Sequence, residues 1–378
     1  MSQHRDVGPS RRRPIRAVLV VLVALIGATS VASTRQATGT VESPCDIQTA
    51  ERVVAVGDVH GAYDGFVGIL REAGLVDRDG RWSGGRAVLV QTGDALDRGP
   101  QSRKVIDLLR RLELEAPRVG GRVLVLLGNH EAMRILGDRR YVSAKEYEEF
   151  RDGSSSALRE RTLERLASAE KARAREENRP YDEPTFMAQL ERDVPLGLIE
   201  MTVAFAGNGE YGRWVRSHHA MVKINGVVFV HGGVSPEAAS RGCEGINAAV
   251  ATNLELEYPT PTDVAAMLLT QESGPLWYRG LSLEPEHEFA PALEEILRAL
   301  EARAIVVGHT VVAKRITTRF DGRVIQIDTG MLGGDFFPGG GPSALELRGT
   351  TLTAVYGDRR EIVPAPWLQS VPSGPAIP

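Results

Sequence analysis

The chain has 378 residues, 42% of them hydrophobic and 25% charged, with a formal net charge of −4. That length holds one large domain with insertions or two small domains. The near-neutral balance argues against a nucleic-acid binder, so affinity for phosphate has to come from local arginines and metals.

Arg11, Arg12, Arg13 and Arg16 precede an apolar run, Ala17 to Ala28, broken only by Gly27, and small residues follow as far as Ser33. This is the pattern of a secretory signal, and the run is short for a transmembrane helix. Residues 1–44 are expected to be signal and linker. The protein is then exported to the periplasm or beyond, or held at the membrane by an uncleaved N-terminal segment. Cys45 and Cys243 are the only cysteines. In an oxidising compartment they can pair, or they can stay as two unrelated thiols, and sequence leaves both open.

From Val53 onward, strands and helices alternate, which favours an α/β core. Strands are expected at Val53–Val56, Ala87–Gln91 and Val123–Leu127, with helices over Gly61–Leu75 and Gln101–Leu114. Asp138–His218 breaks the rhythm. Its stretch Ala157–Glu177 is rich in helix-forming residues, so the segment is expected to form a mostly helical cap beside the site. Met221–Ile224 and Val227–Val230 form a hairpin around Asn225–Gly226. A strand at Ala304–Val307 follows an amphipathic helix, Phe289–Arg303. Val324–Ile327, Ala344–Leu347 and Leu352–Tyr356 are expected to belong to a second sheet. The main domain is placed at 45–360, with an irregular proline-rich tail at 361–378.

Five of these strands end in a side chain that can bind metal: Gly57-Asp58-Val59-His60-Gly61, Gly93-Asp94-Ala95-Leu96-Asp97-Arg98-Gly99, Gly128-Asn129-His130-Glu131, His231-Gly232-Gly233 and Gly308-His309-Thr310. Open α/β sheets gather their reactive groups at the carboxyl ends of strands. Such a convergence yields two carboxylates, an amide oxygen and three imidazoles, a donor set for a pair of divalent metals such as Mn, Fe or Zn. Asp94 is the natural bridge. Asp58 and His60 complete one metal, and Asn129, His231 and His309 the other.

The set resembles the calcineurin-like metallophosphoesterase superfamily and, within it, the PPP-type phosphatases. Asp97-Arg98-Gly99 after Asp94, Glu131 after Asn129-His130, and the lack of a second histidine after His309 mark that branch. So does Ile327-Asp328-Thr329-Gly330-Met331. Gly128–Met133 running on to Asp138–Ser143, and Gly274–Gly280, are similar to bacterial Shewanella-like phosphatases. The resemblance covers roughly residues 53–356. It implies a four-layer αββα sandwich with a helical insertion, and a metal-dependent hydrolase of phosphomonoesters. Some members of that subgroup act on phosphotyrosine.

In-line attack by a metal-activated hydroxide needs no enzyme nucleophile, so no covalent phosphoenzyme is expected. His130 is the expected general acid, with Asp97 accepting its ring N–H. Arg98 and Arg279 offer planar, bidentate donors for phosphate oxygens. Trp277 and Tyr278 are candidates for the substrate face or for loop packing. His218 and His219 precede a strand and are left out of the metal set. The expected partner is a phosphorylated substrate, with a phosphoprotein as the leading reading. The alternatives are small phosphates or dinucleoside polyphosphates, and a non-catalytic binding module. The last would need a broken donor set, and here every position is filled.

Overall fold

The computed structural model describes residues 43–256 and 259–368. The apolar run Ala17–Ala28 lies outside these residues, and among the described residues no helix is long and apolar enough to cross a membrane.

The chain opens with β1 (Val53–Val56), α1 (Tyr63–Glu72), β2 (Val88–Gln91), α2 (Ser102–Glu115), β3 (Arg122–Val125) and α3 (Asn129–Ile135). Five helices follow: α4 (Ala144–Glu148), α5 (Ser155–Glu176), α6 (Glu183–Asp193), α7 (Leu198–Phe205) and α8 (Glu210–Arg216). The hairpin β4 (Met221–Ile224) and β5 (Val227–Val230) leads to α9 (Pro236–Ala239), α10 (Gly242–Glu255), α11 (Pro261–Ala266), α12 (Gly280–Leu283) and α13 (Glu286–Ala299). The last strands are β6 (Ala304–Val307), β7 (Thr317–Arg319), β8 (Val324–Gln326), β9 (Ala344–Arg348), β10 (Thr351–Tyr356) and β11 (Arg359–Val363).

Two sheets form, in the orders β11-β10-β9-β1-β2-β3 and β4-β5-β6-β8-β7. The central strands are parallel: β1 with β2, β2 with β3, β5 with β6, and β6 with β8. Their continuous Val, Ile and Leu runs are buried on both faces, as parallel strands covered on each side require. Alternate residues separate the layers. Val53, Ala55, Val88 and Val90 face Ile224, Phe229, Val306 and Ile325 in a core between the sheets. Val54, Val56 and Leu89 pack instead against α1 and α2. Val228, Val230, Ile305 and Val307 pack against α10 and α13. The result is the expected helix–sheet–sheet–helix stack.

Two expectations need correction. Of the three late strands assigned to a second sheet, only β8 lies there. β9 and β10 join the first sheet, because β9 pairs antiparallel with β1 in the register Val53↔Leu347, which turns Leu345 and Leu347 into the inter-sheet core. Nor is the chain irregular from residue 361: β11 pairs with β10 over five residues, Leu352↔Val363 to Tyr356↔Arg359. Val363 supplies an inward apolar side chain to that edge.

The hairpin turn has positive φ at both Asn225 and Gly226, as its two-residue connection demands. Helices α4 to α8 fill the segment that breaks the α/β rhythm. Leu163, Leu166, Leu190, Leu198 and Phe205 bury their inner side, while the charges of α5 face outward. Cys45 and Cys243 are joined by a disulfide, which ties the segment before β1 to α10.

Candidate active site

Asp58, Asp94 and Asn129 stand just past β1, β2 and β3, and His231 and His309 just past β5 and β6. The two sheets present these ends to the same point, so the six predicted donors converge. The loops that carry them run in unusual backbone. Of the ten non-glycine residues with positive φ among the described residues, His60, Asp94, Asp97, Arg98 and His309 are here, and such strain concentrates at functional sites. A Cβ on Gly128 would collide with Asp94, so glycine lets the second and third loops pass each other. Glu131 clamps the same crossing by accepting from the amides of Asp94, Ala95 and Gly128 at 2.8–2.9 Å.

Asp94 is central. Its Oδ1 accepts from the His130 amide at 3.0 Å. Its Oδ2 lies 3.6 Å from His60 Nε2, 3.8 Å from His130 Nε2 and 3.3 Å from His231 Nε2. Burial alone would raise this carboxyl, but His231, His130 and His60 reverse the effect and hold it well below the usual range. Asp58 goes the other way: burial, then Asp328 and Asp94, push it well above. Its Oδ1 accepts from the His309 amide at 2.9 Å, leaving Oδ2 facing His60 Nε2 at 3.8 Å.

The imidazoles are oriented by backbone carbonyls. His60 Nδ1 donates to Leu96 O at 2.8 Å and His231 Nδ1 to Thr92 O at 3.0 Å, which leaves each Nε2 as a lone pair turned inward. Burial drives His60 down to about 3 and His309 to about 2, so both are neutral, as ligands must be.

These atoms fit a metal. Asn129 Oδ1 is 2.9 Å and His309 Nδ1 3.1 Å from His231 Nε2, with Asp94 Oδ2 beside them. Among the described residues, no arginine or lysine hydrogen-bonds to these four atoms. His309 Nε2 is buried with no hydrogen-bond partner. Two clusters, His60–Asp94–His130 and Asp94–His231–His309, bring their candidate atoms within 4.8 Å of one another, with Asp94 in both. His130 enters the first through geometry alone. Its Nδ1 is held by Asp97 Oδ2 at 2.7 Å, and its Nε2 points to the site. Burial would lower His130, but Asp94 and the Asp97 hydrogen bond raise it above its ordinary value.

Arg98 and Arg279 line one cleft of about 370 Å³ with His309, Lys314, Phe336 and Phe337. The Arg98 guanidinium sits 5.4 Å from the Tyr141 and Phe337 rings, and its Nη1 contacts His60 Nε2. Arg279 Nη1 donates to Thr310 Oγ1 at 2.8 Å and to His309 O at 3.1 Å. Trp277 is a packing residue: its Nε1 donates to Leu269 O at 3.0 Å and its ring edge meets His309. Tyr278 packs against Gly233 and Gly280. His218 pairs with Glu113 at 2.8 Å, away from the donor set.

Residues 51–313 match the calcineurin-like phosphoesterase family. The chain belongs to that family. It is 32% identical over 302 residues to Shewanella-like protein phosphatase 2 of Arabidopsis thaliana, covering 79% of this chain and 75% of that one. It is 28% identical over 287 residues to Shewanella-like protein phosphatase 1 of Plasmodium berghei (strain Anka), covering 74% and 67%. The crystal structure of the cold-active protein-tyrosine phosphatase of a psychrophile Shewanella sp. superposes with a TM-score of 0.63 at 30% identity, covering 85% of this chain and 82% of that one. The protein is thus a phosphoesterase hydrolase of the phosphatase kind, acting on a phosphorylated substrate, with His and Asp groups placed for divalent metal.

Several contributors to this phosphatase site carry no role in the sequence pattern, among them Asp328, Arg134, Glu146 and Phe337. Asp328 follows β8 by two residues and interacts with the Asp58 carboxyl. The strand-end rule that found the other donors applies to it equally. Arg134 and Glu146 are buried behind Asp97. Phe337 packs on Arg98 from the glycine-rich segment 330–341. For these three no local sequence signal exists.

Proposed function

We propose that this cleft hydrolyses phosphomonoesters of proteins with two divalent metal ions, drawn from manganese, iron or zinc. Asp58, His60 and Asp94 would hold one ion, and Asp94, Asn129, His231 and His309 the other. The donors are oxygen and imidazole with no thiolate, which suits those metals. Such a pair, when bound, lowers the pKa of water enough to supply a hydroxide nucleophile and offsets phosphoryl charge.

The protein's own groups do the rest. Arg98 and Arg279 grip phosphoryl oxygens with planar donor forks. Asp97 fixes the His130 ring through Nδ1, and His130 Nε2 gives its proton to the leaving oxygen. No side-chain nucleophile is required.

The observation that carries this reading is the cleft wall. Two arginines and Lys314 share it with Phe336 and Phe337 at the edge of the donor cluster. Cations for a phosphate beside aromatic faces suit a phosphotyrosyl group. Structural neighbours named protein tyrosine phosphatase agree with this choice. We also place the protein outside the cytoplasm, through a cleaved signal in residues 1–44. The Cys45–Cys243 disulfide supports an oxidising compartment.

The test is a substrate panel after chelation and single-metal add-back. Phosphotyrosine peptide should be hydrolysed with higher kcat/KM than phosphoserine peptide or diadenosine tetraphosphate, and only after metal is restored. Preference for the dinucleotide would overturn the protein-phosphatase assignment.

A further inference from the structure

Arg134 is only 5% exposed, yet it touches neither the donor cluster nor the cleft. It lies behind His130 and Asp97. Its Nη2 donates to Asp97 Oδ1 and, at 2.6 Å, to Glu146 Oε1. Its guanidinium stands 5.0 Å from the Phe205 ring, and Nη1 is 3.2 Å from Met201 Sδ. Glu146 belongs to α4, and Met201 and Phe205 belong to α7. The side-chain partners Glu146, Met201 and Phe205 all belong to the helical insertion.

The two oxygens of Asp97 are divided between partners. Oδ2 accepts from His130 Nδ1 and Oδ1 from Arg134. The terminal torsion of an aspartate is soft, so one partner alone leaves the carboxylate free to turn. A second, rigid donor fixes it. The guanidinium is planar and can hold two carboxylates at once, which an ammonium does with far less directionality. The Asp97 amide is also held, by Ser102 Oγ at 3.1 Å.

We propose that Arg134 is a positioning residue for proton delivery. Held by Glu146 of α4, it fixes the Asp97 carboxylate so that Oδ2 meets His130, and the helical insertion thereby sets the orientation of the acid. This rests on His130 acting as the general acid.

The test uses the full-length, metal-reconstituted protein and three variants: Arg134→Lys, Glu146→Gln and His130→Asn. Each is assayed on p-nitrophenyl phosphate, whose leaving group departs without help, and on phenyl phosphate, whose leaving group needs a proton. His130→Asn should lose far more kcat on phenyl phosphate. Arg134→Lys and Glu146→Gln should show the same selectivity, with a loss on the order of tenfold greater for phenyl phosphate, at unchanged KM. Equal loss on both substrates, or none, overturns the positioning role. Glu146→Gln keeps the side-chain volume and one acceptor, and tests the same link if Arg134→Lys does not fold. If His130→Asn itself loses both activities equally, the general-acid reading fails instead, and the two failures are told apart.

Discussion

Asn129 Oδ1 and His231 Nε2 lie 2.9 Å apart, although 102 positions separate them in the chain. They stand beyond strands of different sheets, β3 and β5, and meet because the stacked sheets bring those ends together. The donor cluster is thus a product of sheet packing. Asp94 faces both halves of it. Asp94→Asn should therefore reduce metal content more than His60→Ala or His231→Ala, each of which disturbs one half. Its kcat should fall by more than the roughly 10–100-fold typical of outer partners of a metal site. Metal analysis of dialysed protein, with rates on p-nitrophenyl phosphate, checks this. Equal metal loss in all three variants would contradict the bridging position.

His130 is expected to act on chemistry more than on binding. His130→Asn should lower kcat by about 10²–10⁴-fold, the usual worth of a positioned acid, with smaller changes in KM and metal content. Steady-state kinetics after metal reconstitution decides it. A pure KM effect would assign His130 to substrate binding.

Asp328 gives a pH signature in the metal-free protein. Burial is the first cause that pushes its carboxyl from 3.8 up to about 6. The native state then keeps a proton that the unfolded chain has already lost, so its contribution to stability falls as pH rises through this window. Above it the ionised, buried carboxylate is a standing cost. Asp328→Asn removes that cost while leaving an oxygen for the Gly330 amide, which bonds Asp328 Oδ1 at 3.0 Å. With chelator present, the variant should be more stable than the parent at about pH 7.5, by at most roughly 3 kcal/mol, and the gain should vanish near pH 4. It should also bind metal more weakly, having lost a nearby negative charge. Urea melts at the two pH values, with metal titrations, measure both; a gain independent of pH would exclude this cause.

The Cys45–Cys243 bridge closes a loop with a sequence separation of 198. Its removal by the double serine variant should cost about 2–5 kcal/mol of stability. Metal content should not change, since neither sulfur lies in the donor cluster. Thermal melts and metal analysis test both halves of the statement.

The ligand loops were legible because chemistry and topology agree on them. A metal-binding side chain after a buried-type strand is a local pattern, and Asp58, Asp94, Asn129, His231 and His309 each satisfy it. Asp328 satisfies it too, within the segment Ile327–Met331 that also marks the family. Arg134 was not legible. Between Met133 and Ile135 it has the look of a solvent-facing charge, and only the arrival of Glu146 and Phe205 buries it. The placement of β9 and β10 depends on long-range pairing with β1, which hydrophobic alternation does not encode. The cysteine pairing stayed open because a sequence gives no distance between them.

Asp58, His60, Asp94, Asn129, His231 and His309, from separate loops, are expected to build one site for a pair of cations. Crystals of the manganese-loaded protein, measured at a wavelength where manganese scatters anomalously, test it most directly. Two anomalous peaks are expected inside the cluster, with the Asp94 carboxylate contacting both. Peaks elsewhere, or one peak that leaves His231 and His309 without metal, would contradict it.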